Sequence, residues 1–208
     1  MLIKSVHIEN FRCFREETLA CDRLTVILGR NGSGKSSLLS ALDVFYDINA
    51  PIAADDFYNK DTAAEVKIRV VYFGLRTGGE QEEFQTYLRD GELAVTKAIR
   101  HINGRIEQKY FAATRQIPLF SSIRAMGKKE QIVTWNELVT QQTLPDIGQA
   151  KAKKAADVEE HMRAYEATHV DQMEWMEREE QFFGPKNVGG GKLTKLRLKP
   201  TSIGVRAD

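Results

Sequence analysis

The residues able to do chemistry are concentrated at Gly29-Arg30-Asn31-Gly32-Ser33-Gly34-Lys35-Ser36, which matches G-x-x-x-x-G-K-[ST] at every fixed position. Each residue type has a task in that pattern. Gly29 allows the chain to turn, and Gly32 and Gly34 let backbone N–H groups approach phosphate oxygens where a side chain would collide. Those amides, with the start of a following helix, make a preorganised anion cradle. Lys35 brings a cation to the β- and γ-phosphates, the Ser36 hydroxyl is a ligand for Mg²⁺, and Ser37 is a further phosphate contact. By average residue usage such a match arises by accident in about 1% of chains of this length. It implies a chain that binds a nucleoside triphosphate or descends from one that did.

Such a loop must be held by a strand before it and a helix after it. Leu24-Thr25-Val26-Ile27-Leu28 is apolar and β-branched and predicts a strand ending at Gly29. Leu38, Leu39, Leu42 and Phe45 recur at helical spacing and predict a helix from about Lys35. Upstream, Ile3 to Ile8 alternates with Val6 and Ile8 on one face, as a half-buried strand does. Glu65 to Leu75 alternates in the same way. Asp90-Gly91 and Asn103-Gly104 supply the positive φ of hairpin turns, so a β-meander is expected over about 65–113. Beyond Pro118 the spacing becomes helical: Glu130 to Gln142 predicts one helix and Gly148 to Phe183 a longer one. Nine acids against two arginines between 157 and 180 keep that longer helix off nucleic acid. After Gly184-Pro185 the sign reverses, with Lys186, Lys192, Lys195, Arg197, Lys199 and Arg206 before the next acid, Asp208.

Composition narrows the class. The 208 residues carry 30 Lys+Arg against 29 Asp+Glu, a net charge of +1, which excludes a globally basic nucleic-acid coater and an acidic disordered chain. The opening residues lack a signal-peptide apolar core, and no run approaches the roughly 18 apolar residues of a membrane span. Cys13 and Cys21 are too few for a disulfide framework and read as small apolar residues of a reducing cytoplasm. His7, His101, His161 and His169 show no nucleophile or metal spacing. The apolar strand ending in Asp-Glu that would hold Mg²⁺ and polarise water is not found after residue 35. Asp55-Asp56, Glu82-Glu83, Glu159-Glu160 and Glu179-Glu180 lack such a strand and read as solvated surface. Gly189-Gly190-Gly191 lacks the serine of a signature motif and reads as a loop. No catalytic acid is assigned.

Ile8-Glu9-Asn10-Phe11-Arg12-Cys13-Phe14-Arg15, followed some fifteen residues later by Gly29 to Ser37, resembles the opening of SMC/RecF-type ATPases, the DNA-repair branch of the ABC ATPases. Phe45 to Ile52, Asp55-Asp56-Phe57-Tyr58, Glu65 to Ile68 and Gln181-Phe182-Phe183-Gly184 resemble the N-terminal half of OLD-family (overcoming lysogenization defect) and related phage-defence ATPases. The resemblance implies an α/β P-loop fold: an ABC ATPase N-terminal lobe with an antiparallel β-meander and a C-terminal helical segment. It divides the chain into an ATPase lobe with meander over 1–120, a helical insertion over 121–183 and a basic segment over 184–208 leading toward a second lobe.

It also implies ATP and Mg²⁺ as cofactors, with Asn10 and Arg12 beside the nucleotide; from the residues alone, Arg12 is equally a surface charge. Gln116 is the candidate for the family's Q-loop glutamine. Expected partners are a second copy or a partner ATPase or nuclease subunit, with DNA as a further partner and no membrane. The leading function is an ATP-binding subunit or fragment acting in DNA repair or anti-phage defence, with hydrolysis needing residues from a second lobe or subunit. The alternative is a non-hydrolysing nucleotide-sensing interaction module. A transport ABC subunit is disfavoured, because Asn10-Phe11-Arg12 replaces the usual adenine-stacking segment.

Overall fold

The computed structural model describes residues 1–78, 81, 84–148 and 150–183. Glu82-Glu83, Gly184-Pro185, Gly189-Gly190-Gly191 and the basic residues from Lys186 onward lie outside them. The chain divides into two compact units, one of Met1–Ala112 with the segment from residue 179, the other of Ala113–Arg178.

The first unit is built on β1 (Leu2–Phe11), β2 (Phe14–Ala20), α1 (Lys35–Tyr46), β3 (Val66–Phe73), β4 (Leu88–Arg89), β5 (Glu92–Ile102) and β6 (Arg105–Gln116), the last crossing into the second unit. With β7 (Glu174–Glu179), the strands lie in the order β2-β1-β3-β5-β6-β7, and β4 pairs with β5. The pairs β1–β2, β1–β3, β3–β5, β4–β5 and β5–β6 are antiparallel. The fold is therefore mixed α/β with an antiparallel sheet. Alternation decides which face is buried: Val6 and Ile8 on β1 and Val66, Ile68, Val70 and Tyr72 on β3 are buried. Opposite them α1 presents Leu38, Ala41 and Phe45, one stripe at spacings of three and four. The meander forms as the turn dipeptides require, with Asp90-Gly91 and Asn103-Gly104 all at positive φ.

Two expected elements are corrected. No strand forms over 24–28: Leu24, Val26 and Leu28 are 84%, 68% and 87% exposed, and no described strand pairs with the segment. A strand needs a ladder partner for its amides and carbonyls, and local bonds take over at the segment's start. There the Asp22 amide donates to Thr25 Oγ1 at 3.0 Å and the Arg23 amide to Asp22 Oδ1 at 2.7 Å. The long helix over 148–183 is also broken. α4 occupies only Ala155–Thr168, followed by a 3₁₀ turn at Val170–Gln172 and then β7.

The second unit packs α2 (Pro118–Ala125), α3 (Lys128–Gln141) and α4 around Phe120, Ile123, Trp135, Val139, Val158 and Met162. Pro118 stands at the start of α2, where its missing N–H costs nothing. Arg124 donates to both oxygens of Glu166, at 2.8 and 2.9 Å, and to Glu159 at 3.0 Å. Glu159, expected at the solvated surface, is instead tied to three arginines.

Candidate functional site

The Gly29–Ser37 segment leads into α1. Gly34 sits at the N-cap with φ 90° and ψ 1°, and no side chain caps the helix. The first turn carries no acid. The leading amides of α1 are thus left without a side-chain acceptor, as an anion site requires. Gly32 has φ +81° and open space where a Cβ would stand, so its conformation alone calls for glycine. A Cβ at Gly34 would meet Cys13 Sγ and Phe14 Cζ, both at 3.0 Å, so Gly34 is required by conformation and by space. At Gly29 the contact is the Ser33 hydroxyl, 2.6 Å from a Cβ.

Lys35 Nζ donates to the Gly29 carbonyl and, at 2.8 Å, to that of Arg30, so the ammonium is folded over the loop it would serve. Arg30, Asn31, Gly32, Ser33 and Ser36 are exposed, and Ser37 is half-buried. Within the loop the Ser33 amide donates to the Arg30 carbonyl at 3.1 Å. A cavity of about 260 Å³ lies against this loop, lined by Val6, Ile8, Phe14, Leu28, Lys35 and Leu38 among others.

The β1–β2 turn lies against the cradle, and two of its residues adopt positive φ, Asn10 at 54° and Arg12 at 50°. Asn10 Nδ2 donates to the Glu65 carbonyl at 2.9 Å, which fixes its side chain structurally. Arg12 Nε donates to Asp56 Oδ1 at 2.9 Å and Nη1 to Ser40 Oγ on α1 at 2.7 Å, while the Arg12 amide donates to the Asp56 carbonyl at 2.9 Å. Asp56, expected as solvated surface, is a half-buried anchor that also accepts from the Ala53 amide. Cys13 is exposed beside Gly34, not an apolar core residue.

Gln116 is buried in the second unit, with its carbonyl accepting from Arg124 at 3.0 Å and its Nε2 unpartnered. Among the described residues no group of three His, Cys, Asp or Glu could hold a metal ion, and no helix is long and apolar enough to cross a membrane. The residues present fit a polyphosphate with its cation: uncapped amides, two glycines at positive φ, one lysine and the hydroxyls of Ser36 and Ser37.

Sequence reasoning missed one residue near this helix. Lys97 on β5 has 0% exposure, and its Nζ donates to the carbonyls of Val44 at 2.8 Å and Asp47 at 2.5 Å, at the C-terminal end of α1. The signal was present: Leu93, Val95, Lys97 and Ile99 alternate on one face, and three of the four are core residues. Burial pushes the Lys97 ammonium down to about 8, against the opposing pull of the Asp47 charge. Next to it in the ladder, the Tyr110 hydroxyl donates to the Phe45 carbonyl at 2.7 Å.

A phosphate-ready glycine loop opening an α-helix beside an antiparallel sheet defines a nucleotide-binding ATPase domain. The family model for the AAA ATPase domain matches residues 1–134, and the chain belongs to that family. It is similar to an OLD nuclease of Thermus scotoductus, 34% identical over 74 residues, covering 33% of this chain and 14% of that protein. It is also similar to the DNA replication and repair protein RecF of Thermomicrobium roseum, 51% identical over 43 residues (20% of this chain, 11% of that one). The same protein of Rickettsia typhi is 40% identical over 47 residues, 22% of this chain and 13% of that one. The matched part is thus 14% or less of each relative's length.

Proposed function

We propose that this chain is the ATP-binding lobe of an SMC/RecF/OLD-like ATPase acting in DNA repair or anti-phage defence, with a nucleotide lobe over 1–120 and a helical insertion over 121–183. Supporting the nucleotide reading are the uncapped α1 N-terminus and the two positive-φ glycines. The amides of Gly32 to Ser36 and the Lys35 ammonium bind and orient the phosphates, with Arg30, Asn31, Ser33 and Ser37 completing the loop. The Ser36 hydroxyl holds Mg²⁺, which when bound offsets phosphate charge. Lys35 must exchange its two carbonyl partners for phosphate oxygens, so nucleotide entry reorganises the loop. Arg12, held by Asp56 and Ser40, lends positive charge beside the cradle, and Asn10 sets the turn that carries it.

The observation that carries the second half of the reading is the exposed Leu24-Val26-Leu28 edge leading straight into the loop. An apolar alternating segment without a ladder partner is suited to pairing with another strand. We propose that a second lobe or subunit covers it and brings the hydrolytic acid, in a homodimer or with a partner ATPase or nuclease subunit, with DNA as the polymer acted on. The test is Mg²⁺-ATP binding and turnover by the full chain. Binding that is lost in Lys35→Ala, with turnover appearing only when a partner lobe is added, is the expected result. Robust turnover by the chain alone, abolished in Lys35→Ala, refutes the shared-site reading. Binding that stays without turnover in every complex selects the nucleotide-sensing module instead.

A further inference from the structure

The polar ties on α1 are unevenly placed. At its N-terminus no side chain caps the helix. Arg12 reaches its flank at Ser40. At its C-terminus three carbonyls are taken by side chains from two adjacent strands: Val44 and Asp47 by Lys97, Phe45 by Tyr110. A helix end leaves its last carbonyls without intrahelical donors, and a cation there also meets the negative end of the helix dipole. Lys97 is an expensive way to provide this. An apolar residue would suit its place between Val95 and Ile99 with no charge to desolvate, yet could not bond two carbonyls. Its ammonium also lies 5.2 Å from the centre of the Tyr110 ring.

We propose that Lys97 is a positioning residue for the phosphate cradle: it fixes α1 against the sheet from the C-terminal end and so aims the amides at the opposite end. The inference rests on the reading that those amides bind nucleotide. The titratable groups around Lys97 are the Asp47 carboxylate at the end of α1 and the Tyr110 phenol on β6, with the Tyr46–Tyr72 phenol pair between α1 and β3; the β3 register partner, Ile68, is apolar. Because desolvation is what pulls the Lys97 ammonium down toward about 8, the neutral amine is the easier form to keep buried, and raising pH does not release α1.

Two measurements test this in the full chain. In the first, a fluorescent ATP analogue with Mg²⁺ is titrated at pH 7 into wild type, Lys97→Arg and Lys97→Met. Expected is an affinity several-fold weaker in Lys97→Met and recovered in Lys97→Arg, which keeps a donor for the Val44 and Asp47 carbonyls. Wild-type affinity in Lys97→Met overturns the proposal.

The second measurement needs no nucleotide: hydrogen exchange of wild type and Lys97→Met at pH 7. Protection of the α1 amides relative to that of β3 and β5 should fall several-fold in Lys97→Met; equal changes in helix and sheet overturn the positioning role. Should wild type bind no nucleotide, the functional reading fails, and this exchange pattern still decides whether Lys97 holds α1.

Discussion

Replacing Gly34 by alanine isolates the cradle geometry from its chemistry, because no donor, charge or hydroxyl is removed. Gly34 has φ +90°, which costs an alanine about 1–2 kcal/mol. Its new methyl would stand 3.0 Å from both Cys13 Sγ and Phe14 Cζ, an overlap that adds about 1 kcal/mol when the neighbours give way. The sum, about 2–3 kcal/mol, falls on one loop conformer, so the fraction of molecules competent to bind drops by about 30- to 150-fold and apparent affinity with it. Titration of a fluorescent ATP analogue reads this directly, and far-ultraviolet circular dichroism verifies that the fold persists. Part of the cost is specific to the β1–β2 turn. Cys13→Ala removes one of the two close atoms, so in that background the Gly34→Ala penalty should shrink by about 0.5–1 kcal/mol. Gly34→Ala within threefold of wild type, or a penalty indifferent to Cys13, would show that the turn does not lie against the cradle.

Glu166→Ala should cost the second unit about 3–5 kcal/mol, because it strips two hydrogen bonds from the largely buried Arg124; urea unfolding followed by Trp135 fluorescence measures it. Asp56→Ala frees Arg12 from its ion pair and should lower nucleotide affinity while costing only about 1 kcal/mol of stability, the pair being part-exposed; melting temperature and titration separate the two. Changing Leu24, Val26 and Leu28 together to serine should leave the melting temperature of the chain within a few degrees, since nothing buried is lost, yet abolish assembly with a partner lobe in a pull-down. Stability itself should rise with pH between about 8 and 10. Lys97 has its folded value near 8 and its ordinary value at 10.5, so in that window the unfolded chain binds more protons. The gain is about 2–3 kcal/mol, absent in Lys97→Met. Above pH 10 the buried Tyr72 and Tyr110 phenols, both pushed up by desolvation, work in the opposite direction.

The parts legible in the sequence are those decided by short-range rules. Asp90-Gly91 and Asn103-Gly104 mark hairpins because positive φ is a local requirement, and Leu38 and Phe45 mark the buried side of α1 because 3.6-residue spacing is local too. The loop residues are named by spacing alone. What escaped depends on partners far along the chain. Asp56 is a solvated acid until Arg12, 44 residues earlier, folds onto it. Glu159 is surface charge until Arg124 arrives from another helix. The helix expected across 148–183 ends at Thr168, and beyond it Met176 and Arg178, two apart, are the half-buried positions of strand β7.

Lys97 and the 24–28 segment fail the sequence reading in opposite senses, and for one reason. Periodicity states which face of a segment a side chain occupies, and the rest of the molecule decides what covers that face. Lys97 alternates with Leu93, Val95 and Ile99, so the sheet buries it, and the carbonyls of α1 make that burial tolerable. Leu24, Val26 and Leu28 alternate as well, but no described residues cover them. Both lie next to the same functional element, the first at the far end of the cradle helix and the second at the entrance to its loop. A cradle fixed from behind and open in front can receive nucleotide while its leading edge is exposed. A partner strand arriving at 24–28 would therefore order the loop from the side that Lys97 does not reach.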